Sequence, residues 1–238
     1  MNKNTTKTIE LSKQSVPYKV IRNNRSKNIR LYVNVLGELE VRIPKRVKED
    51  SISEILMQHS KWILKHLSNR QQKKEFYYLG RKLNVVQSFD MFGTINHFKL
   101  KDNVLNIISP CENSLTTNDL FEMWLKQEAM EYIPARTAKL AEQYGFVHIR
   151  ITIRSQKSRW GSCSANGSLS FNSRLMKFDK DVIDYVIVHE LCHLKEMNHS
   201  KKFWKLVGEI IPEYKYFVKR LRSMIFSEDM PKQKFNSN

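Results

Sequence analysis

The sequence predicts an α+β fold, and three observations carry that prediction. Short runs of alternating apolar and polar residues fill much of the first 110 positions. A long amphipathic stretch follows at about 118–143, and a mostly apolar segment at 182–194, VIDYVIVHELCHL, has helical spacing. The expected layout is a basic N-terminal region over 1–112, rich in antiparallel β-structure and with one helix. A second domain follows over 113–226, with a frayed tail over 227–238.

In the N-terminal region, Ile29, Leu31, Val33 and Val35 alternate with Arg30, Tyr32 and Asn34. Leu39, Val41 and Ile43 repeat the pattern after a turn at Leu36-Gly37-Glu38, which predicts an antiparallel pair ended by Pro44. Residues 51–70 change to helical spacing, with Ile52, Ile55, Leu56, Trp62, Ile63 and Leu67 on one side. Short alternating runs return from Tyr77 to Ile108, broken by Gly80 and Gly93, and read as a meander. Pro110, Asn113 and Ser114 mark a loop, where the domain boundary is placed.

In the second domain a helix over Asn118–Gln143 should end before Gly145 and kink at Pro134. A strand is expected at His148–Arg154, where Ile149, Ile151 and Ile153 alternate with Arg150, Thr152 and Arg154. Asn166-Gly167 signals a tight turn before a further strand carrying Leu169 and Phe171.

Bulk composition narrows the function classes. Hydrophobic residues make up 41% of the 238 and aromatics 11%, as in ordinary globular chains. The polar start, MNKNTTKTIE, has no apolar signal region, and no apolar run approaches the roughly 18 residues of a membrane span. The plain expectation is a cytoplasmic protein without a membrane segment. Cys111, Cys163 and Cys192 form no even or closely spaced set, which argues against a disulfide framework or a cysteine-type zinc site. The 41 Lys and Arg against 24 Asp and Glu give a net charge of +17, which would attract nucleic acid or another polyanion if it is more than a solvated face.

The chemistry concentrates at 182–199. Asp179 is a suitable N-cap for a helix there, with Phe178 and Ile183 at the positions of a hydrophobic staple. Ile183, Ile187, Leu191 and Leu194 make its buried stripe. His189 and His193, four apart, project from one face a turn apart and can share one metal ion. Glu190 lies about 100° around the helix from His189, placed to act on water without taking a coordination site. A catalytic zinc takes three protein ligands and leaves a position open. His199 is the preferred third ligand, with Glu196, Glu209 and Glu213 as competitors. In a continuous helix His199 would point the wrong way, so the helix must stop. Asn198 is expected to end it in left-handed backbone, and Ser200 to cap the next helix, SKKFWKLVGEI.

The runs RWGSCSANGSLSFNSRLM at 159–176 and HELCHLKEMNHSKKFW at 189–204 resemble the YgjP-like metallopeptidase domain family, which is related to the SprT-like and WLM zinc proteases among the zincins. The resemblance is close over about 150–215. It implies a zincin-like catalytic core built on the HExxH helix, a Zn²⁺ ion on His189, His193 and His199, Glu190 as general base, and a protein or peptide substrate. The ligand spacing equals the metzincin pattern, except that Glu196 stands where that pattern has glycine.

Other residues bear on the site. Arg159, Ser170 and Asn172 are candidates for contacting substrate. A strand at about 168–173 could receive an extended peptide by β-addition, and Arg159 could stabilise an oxyanion. Trp160, Cys163, Cys192, Phe203 and Trp204 read as packing, and Tyr214 and Tyr216 as mainly structural. His59, His66, His97 and His148 have no ligand-type spacing. Two other functions stay open at this level. One is a metal-dependent hydrolase of nucleotides or other phosphorylated substrates, and the other is a nucleic-acid-associated protein with structural zinc.

Overall fold

A computed structural model describes residues 6–22, 28–33, 38–48, 50–68, 75–90, 92–110, 115–156 and 159–224. The turn residues Leu36 and Gly37, Cys111, the loop residues Asn113 and Ser114, and the tail over 227–238 lie outside the described residues. The chain is α+β and divides into two compact units, residues 1–76 with 83–117, and residues 77–82 with 118–238. Residues 77–82 group with the second unit although they precede the boundary expected from sequence. The first unit carries 19 basic and 10 acidic residues and the second 22 and 14, so the positive charge is not gathered on one of them.

The first unit is built on a sheet in the order β1-β2-β4-β3-β6-β8-β7. Its strands are β1 (Thr6–Leu11), β2 (Gln14–Arg22), β3 (Arg30–Val33), β4 (Leu39–Ile43), β6 (Arg81–Asp90), β7 (His97–Lys101) and β8 (Val104–Pro110), and β5 (Phe76–Tyr78) pairs with β6 off this path. The expected β3–β4 pair is antiparallel, with Leu31 opposite Val41. The β1–β2 hairpin has no counterpart among the sequence expectations.

The sheet is mixed, because β2–β4 and β6–β8 pair in parallel. Burial explains the second case. Strand β8 alternates half-buried and buried residues, whereas β7 exposes nearly all of its own, so β8 takes the inner place beside β6 and β7 the edge. The expected single helix over 51–70 is two, α1 (Asp50–Gln58) and α2 (Ser60–Ser68), meeting at His59. They bury Ile52, Leu56, Trp62 and Ile63 with Leu31, Val41 and Phe89 in this unit's core, and Trp62 and Phe89 have ring centroids 3.8 Å apart.

The second unit begins with α3 (Thr117–Tyr144), which runs unbroken through Pro134 and ends before Gly145. Proline removes the hydrogen bond to the carbonyl of Met130, a residue 60% exposed on the solvent side, where water can replace the lost donor. A three-stranded sheet follows in the order β10-β11-β9, from β9 (Arg150–Arg154), β10 (Gly161–Cys163) and β11 (Ser168–Asn172). A turn through Asn166-Gly167 joins β10 to β11. A 3₁₀ turn at Ser173–Lys177 leads to α4 (Lys180–Cys192), then α5 (Lys201–Ile210) and α6 (Tyr214–Met224).

Helix α4 is the axis of this unit and packs against β10, β11, α5 and α6. Its start is fixed three times. Asp179 caps it by accepting from the Val182 amide at 3.3 Å, and the same carboxylate pairs with Arg220 of α6 at 2.5 Å. The Leu79-Gly80 turn seats its backbone amides on the carbonyls of Met176 and Lys177 at 2.8 and 3.3 Å. Gly80 has φ +76°, and a Cβ there would stand 3.0 Å from the Asp179 Cβ, so only glycine suits that approach. Further along, Arg136 of α3 holds Asp184 in a two-pronged ion pair at 2.7 and 2.6 Å. Val182, Ile183 and Tyr185 to Cys192 are all buried, so α4 is enclosed nearly all round rather than along one stripe.

Candidate metal centre

His189 and His193 follow from the geometry of α4. They sit a turn apart at its C-terminal end, 0% and 8% exposed, and their ring centroids are 5.0 Å apart. The helix ends at Cys192, earlier than sequence suggests. The amides of Leu194, Lys195 and Glu196 tighten onto the carbonyls of Leu191 and Cys192, and the His193 ring bonds through Nδ1 to the Glu196 carbonyl at 3.0 Å. Asn198 does not supply the expected left-handed stop. Among the described residues, non-glycine left-handed backbone is confined to Ser12, Lys13, Leu79 and Asp102. The tightened turn after His193 reverses the chain without it.

Ser200 then caps α5 as expected, accepting from the Phe203 amide at 3.3 Å. His199 lies just before that cap and turns back towards α4, with its Nε2 3.0 Å from the His189 Nε2. One nitrogen from each of His189, His193 and His199 lies within 4.8 Å of the others, so a single ion could reach all three. Among the described residues this cluster takes in none of Glu196, Glu209 and Glu213. Glu209 instead faces Lys205 at 3.9 Å.

The electrostatics favour neutral imidazoles. Burial, then the neighbouring His193 and His199, hold His189 well below its ordinary pKa. Burial lowers His193 and His199 as well, against the pull of the Glu196 carbonyl on His193. With its Nδ1 proton given to that carbonyl, His193 keeps Nε2 as its lone-pair nitrogen. Neutral imidazoles with converging nitrogens are a donor set that fits a zinc ion.

Glu190 is 2% exposed, and burial pushes its carboxyl up to about 8, with Arg159 opposing the rise. Aromatic rings wall the histidines. Phe203 lies 4.9, 4.4 and 4.9 Å from the rings of His189, His193 and His199, and Trp204 stacks on His199 at 5.5 Å and on Tyr214 at 5.2 Å. Phe203 and Trp204 are therefore core residues, as expected, in a core that is also the wall of the site. Sequence reasoning missed Tyr185, whose ring is 5.9 Å from His189. A signal for it exists, since 185, 189 and 193 are spaced four apart on one face of a helix.

The residues considered for substrate contact are placed differently. Arg159 is exposed, and its carbonyl accepts from the Asn172 side chain at 2.9 Å. Asn172 is buried, giving its amide protons to the carbonyls of Gln156 and Arg159 and accepting from the Arg174 amide, so it ties those two residues to the 3₁₀ turn. Ser170 is half-buried in the middle of β11, opposite Thr152 on one side and Ser162 on the other. Strand β11 is paired along both edges, which corrects the expectation that 168–173 receives a peptide, because its ladder groups are already used. The outer edge beside α4 belongs to β10. Trp160 is fully buried and meets Phe178 edge-on at 4.9 Å, Cys192 is buried, and Cys163 is half-buried.

The site is thus a helix bearing two histidines and a buried glutamate, with a third histidine folded back onto it. The family model described as YgjP-like, metallopeptidase domain, matches residues 27–224, and the chain belongs to that family. No curated protein matches the chain. Among solved structures, the chain is similar to the metallopeptidase zymogen of Pyrococcus abyssi abylysin. The identity is 21% over 41% of this chain and 98% of that one, with a TM-score of 0.37. It is likewise similar to the metallopeptidase zymogen of Methanocaldococcus jannaschii jannalysin, at 22% identity over 40% of this chain and 99% of that one, also with a TM-score of 0.37. Among the described residues no helix is long and apolar enough to cross a membrane.

Proposed function

We propose that this chain is a zinc-dependent peptidase in which His189, His193 and His199 hold the ion and Glu190 is the general base. The observation that carries this reading is the convergence of three histidine nitrogens within 4.8 Å beside a glutamate that is 2% exposed. Structural zinc sites are usually closed by four ligands, often cysteines, whereas three histidines leave a position free for chemistry. When bound, zinc would polarise a scissile carbonyl and make water more acidic.

The remaining roles fall to the chain. Glu190 takes a proton from the attacking water and returns it to the leaving amine. Burial raises the proton affinity of its carboxyl above that of one in solvent, while Arg159 opposes the rise and favours the ionised form that accepts the proton. Arg159, exposed and close enough for its charge to bear on Glu190, is a cation available to a substrate carbonyl or a developing oxyanion. The outer edge of β10 is the place for an extended peptide, which would gain main-chain hydrogen bonds there. Ser170 and Asn172 act from behind it. Ser170 sits in the strand that backs β10, and Asn172 anchors the segment leading into it. Zinc-loaded protein incubated with an unfolded polypeptide is expected to yield fragments that disappear when a chelator is added. Intact substrate under both conditions would overturn the peptidase reading.

A further inference from the structure

Strand β10 approaches α4 at a glycine, and the contact falls on Glu190. A Cβ built on Gly161 would stand 2.6 Å from the Glu190 Oε1, 2.7 Å from its Cγ and 2.8 Å from its Cδ, all closer than real Cβ contacts come. Gly161 is buried and Glu190 is 2% exposed, so neither end of the contact opens to solvent. We infer that Gly161 is a positioning residue, whose bare backbone lets β10 close over the Glu190 carboxyl and fixes where that carboxyl sits. The inference rests on the reading of Glu190 as the base.

An added methyl group at 161 has two ways out. Strand β10 could retreat, but it is laddered to β11 through Gly161–Phe171, Ser162–Ser170 and Cys163–Leu169. The Asn172 amide also holds the Trp160 carbonyl at 2.8 Å, beside the buried Trp160, Leu169 and Phe171. Moving the strand would break that ladder and disturb the core. The Glu190 carboxyl, by contrast, is the far end of a flexible side chain and swings about its own torsions. It therefore yields first. Gly161→Ala should leave a folded protein with its histidine cluster intact and its base displaced, and displacements of about 1 Å cost on the order of 100-fold in rate.

The test has one arm that needs no substrate. Urea unfolding is measured on four zinc-loaded, full-length proteins: wild type, Gly161→Ala, Glu190→Ala and the double variant. Generic effects of alanine in a strand cancel in such a cycle and leave the 161–190 contact. Gly161→Ala is expected to raise the unfolding constant roughly tenfold with Glu190 present, as overpacking does, and less than about twofold in the Glu190→Ala background. Equal shifts in both backgrounds would overturn the inference. If the single variant fails to fold, recovery of folding in the double variant supports the contact, and failure of both overturns it.

In the kinetic arm, Gly161→Ala should lower kcat at least about tenfold while KM stays within about twofold, because the base moves and the substrate edge does not. An unchanged kcat would overturn positioning even if the unfolding cycle shows coupling. Retained hydrolysis by Glu190→Gln would instead sink the base reading itself, so the two failures are distinct.

Discussion

Glu190→Gln is expected to bind zinc as the wild type does and to lose hydrolysis by about 10²–10⁴-fold, the range of a positioned general base. The substitution keeps the size and shape of the side chain and removes its ability to accept a proton. Burial argues that the fold survives. The carboxyl is 2% exposed and raised to about 8, so its ionised form is held at a cost that a neutral amide does not bear. Stability should be equal to or above that of the wild type, with the histidine cluster undisturbed. Steady-state kinetics and elemental analysis on one preparation check both halves. A variant that keeps its activity would remove Glu190 from the mechanism, and one that loses zinc would turn a catalytic residue into a structural one.

The largest expected effect on stability is that of Trp160→Ala. Trp160 is fully buried, meets Phe178 edge-on at 4.9 Å, and its carbonyl receives the Asn172 amide at 2.8 Å. Truncating a buried tryptophan removes its transfer free energy and leaves a cavity, a loss of about 3–5 kcal/mol. Residue 160 directly precedes β10, so the damage falls beside the strand that covers Glu190. Urea denaturation should show the loss. A change below about 1 kcal/mol would mean that the ring is not part of the core.

The parts of the fold that sequence foretold are those governed by local chemistry. Asp179, His189, Glu190, His193 and Ser200 could be placed because N-caps and the helical period act within a few residues. The β3–β4 pair was legible from the alternation of Leu31, Val33, Leu39 and Val41. The β1–β2 hairpin was not, because its turn is made by Ser12 and Lys13 at φ 47° and 68° without the usual glycine or asparagine. The order β6-β8-β7 depends on which strand buries more surface, a matter of partners far along the chain. Pro134 does not interrupt α3, whose freed carbonyl at Met130 lies on an exposed residue, a circumstance set by the fold around the helix. The elbow before His199 depends on the bond between the His193 ring and the Glu196 carbonyl, which no spacing rule encodes. The approach of Gly161 to Glu190 is longer-ranged still. It brings together two residues 29 positions apart, and the sequence marks it only by a glycine.

The most direct test is the zinc content of the purified protein, wild type beside His199→Ala, by elemental analysis after zinc has been offered to both. About one zinc per chain in the wild type, lost or much weakened in the variant, is the expected result for a three-histidine site with one open position. A wild type that binds no metal, or a variant that holds zinc as tightly as the wild type, would contradict that site.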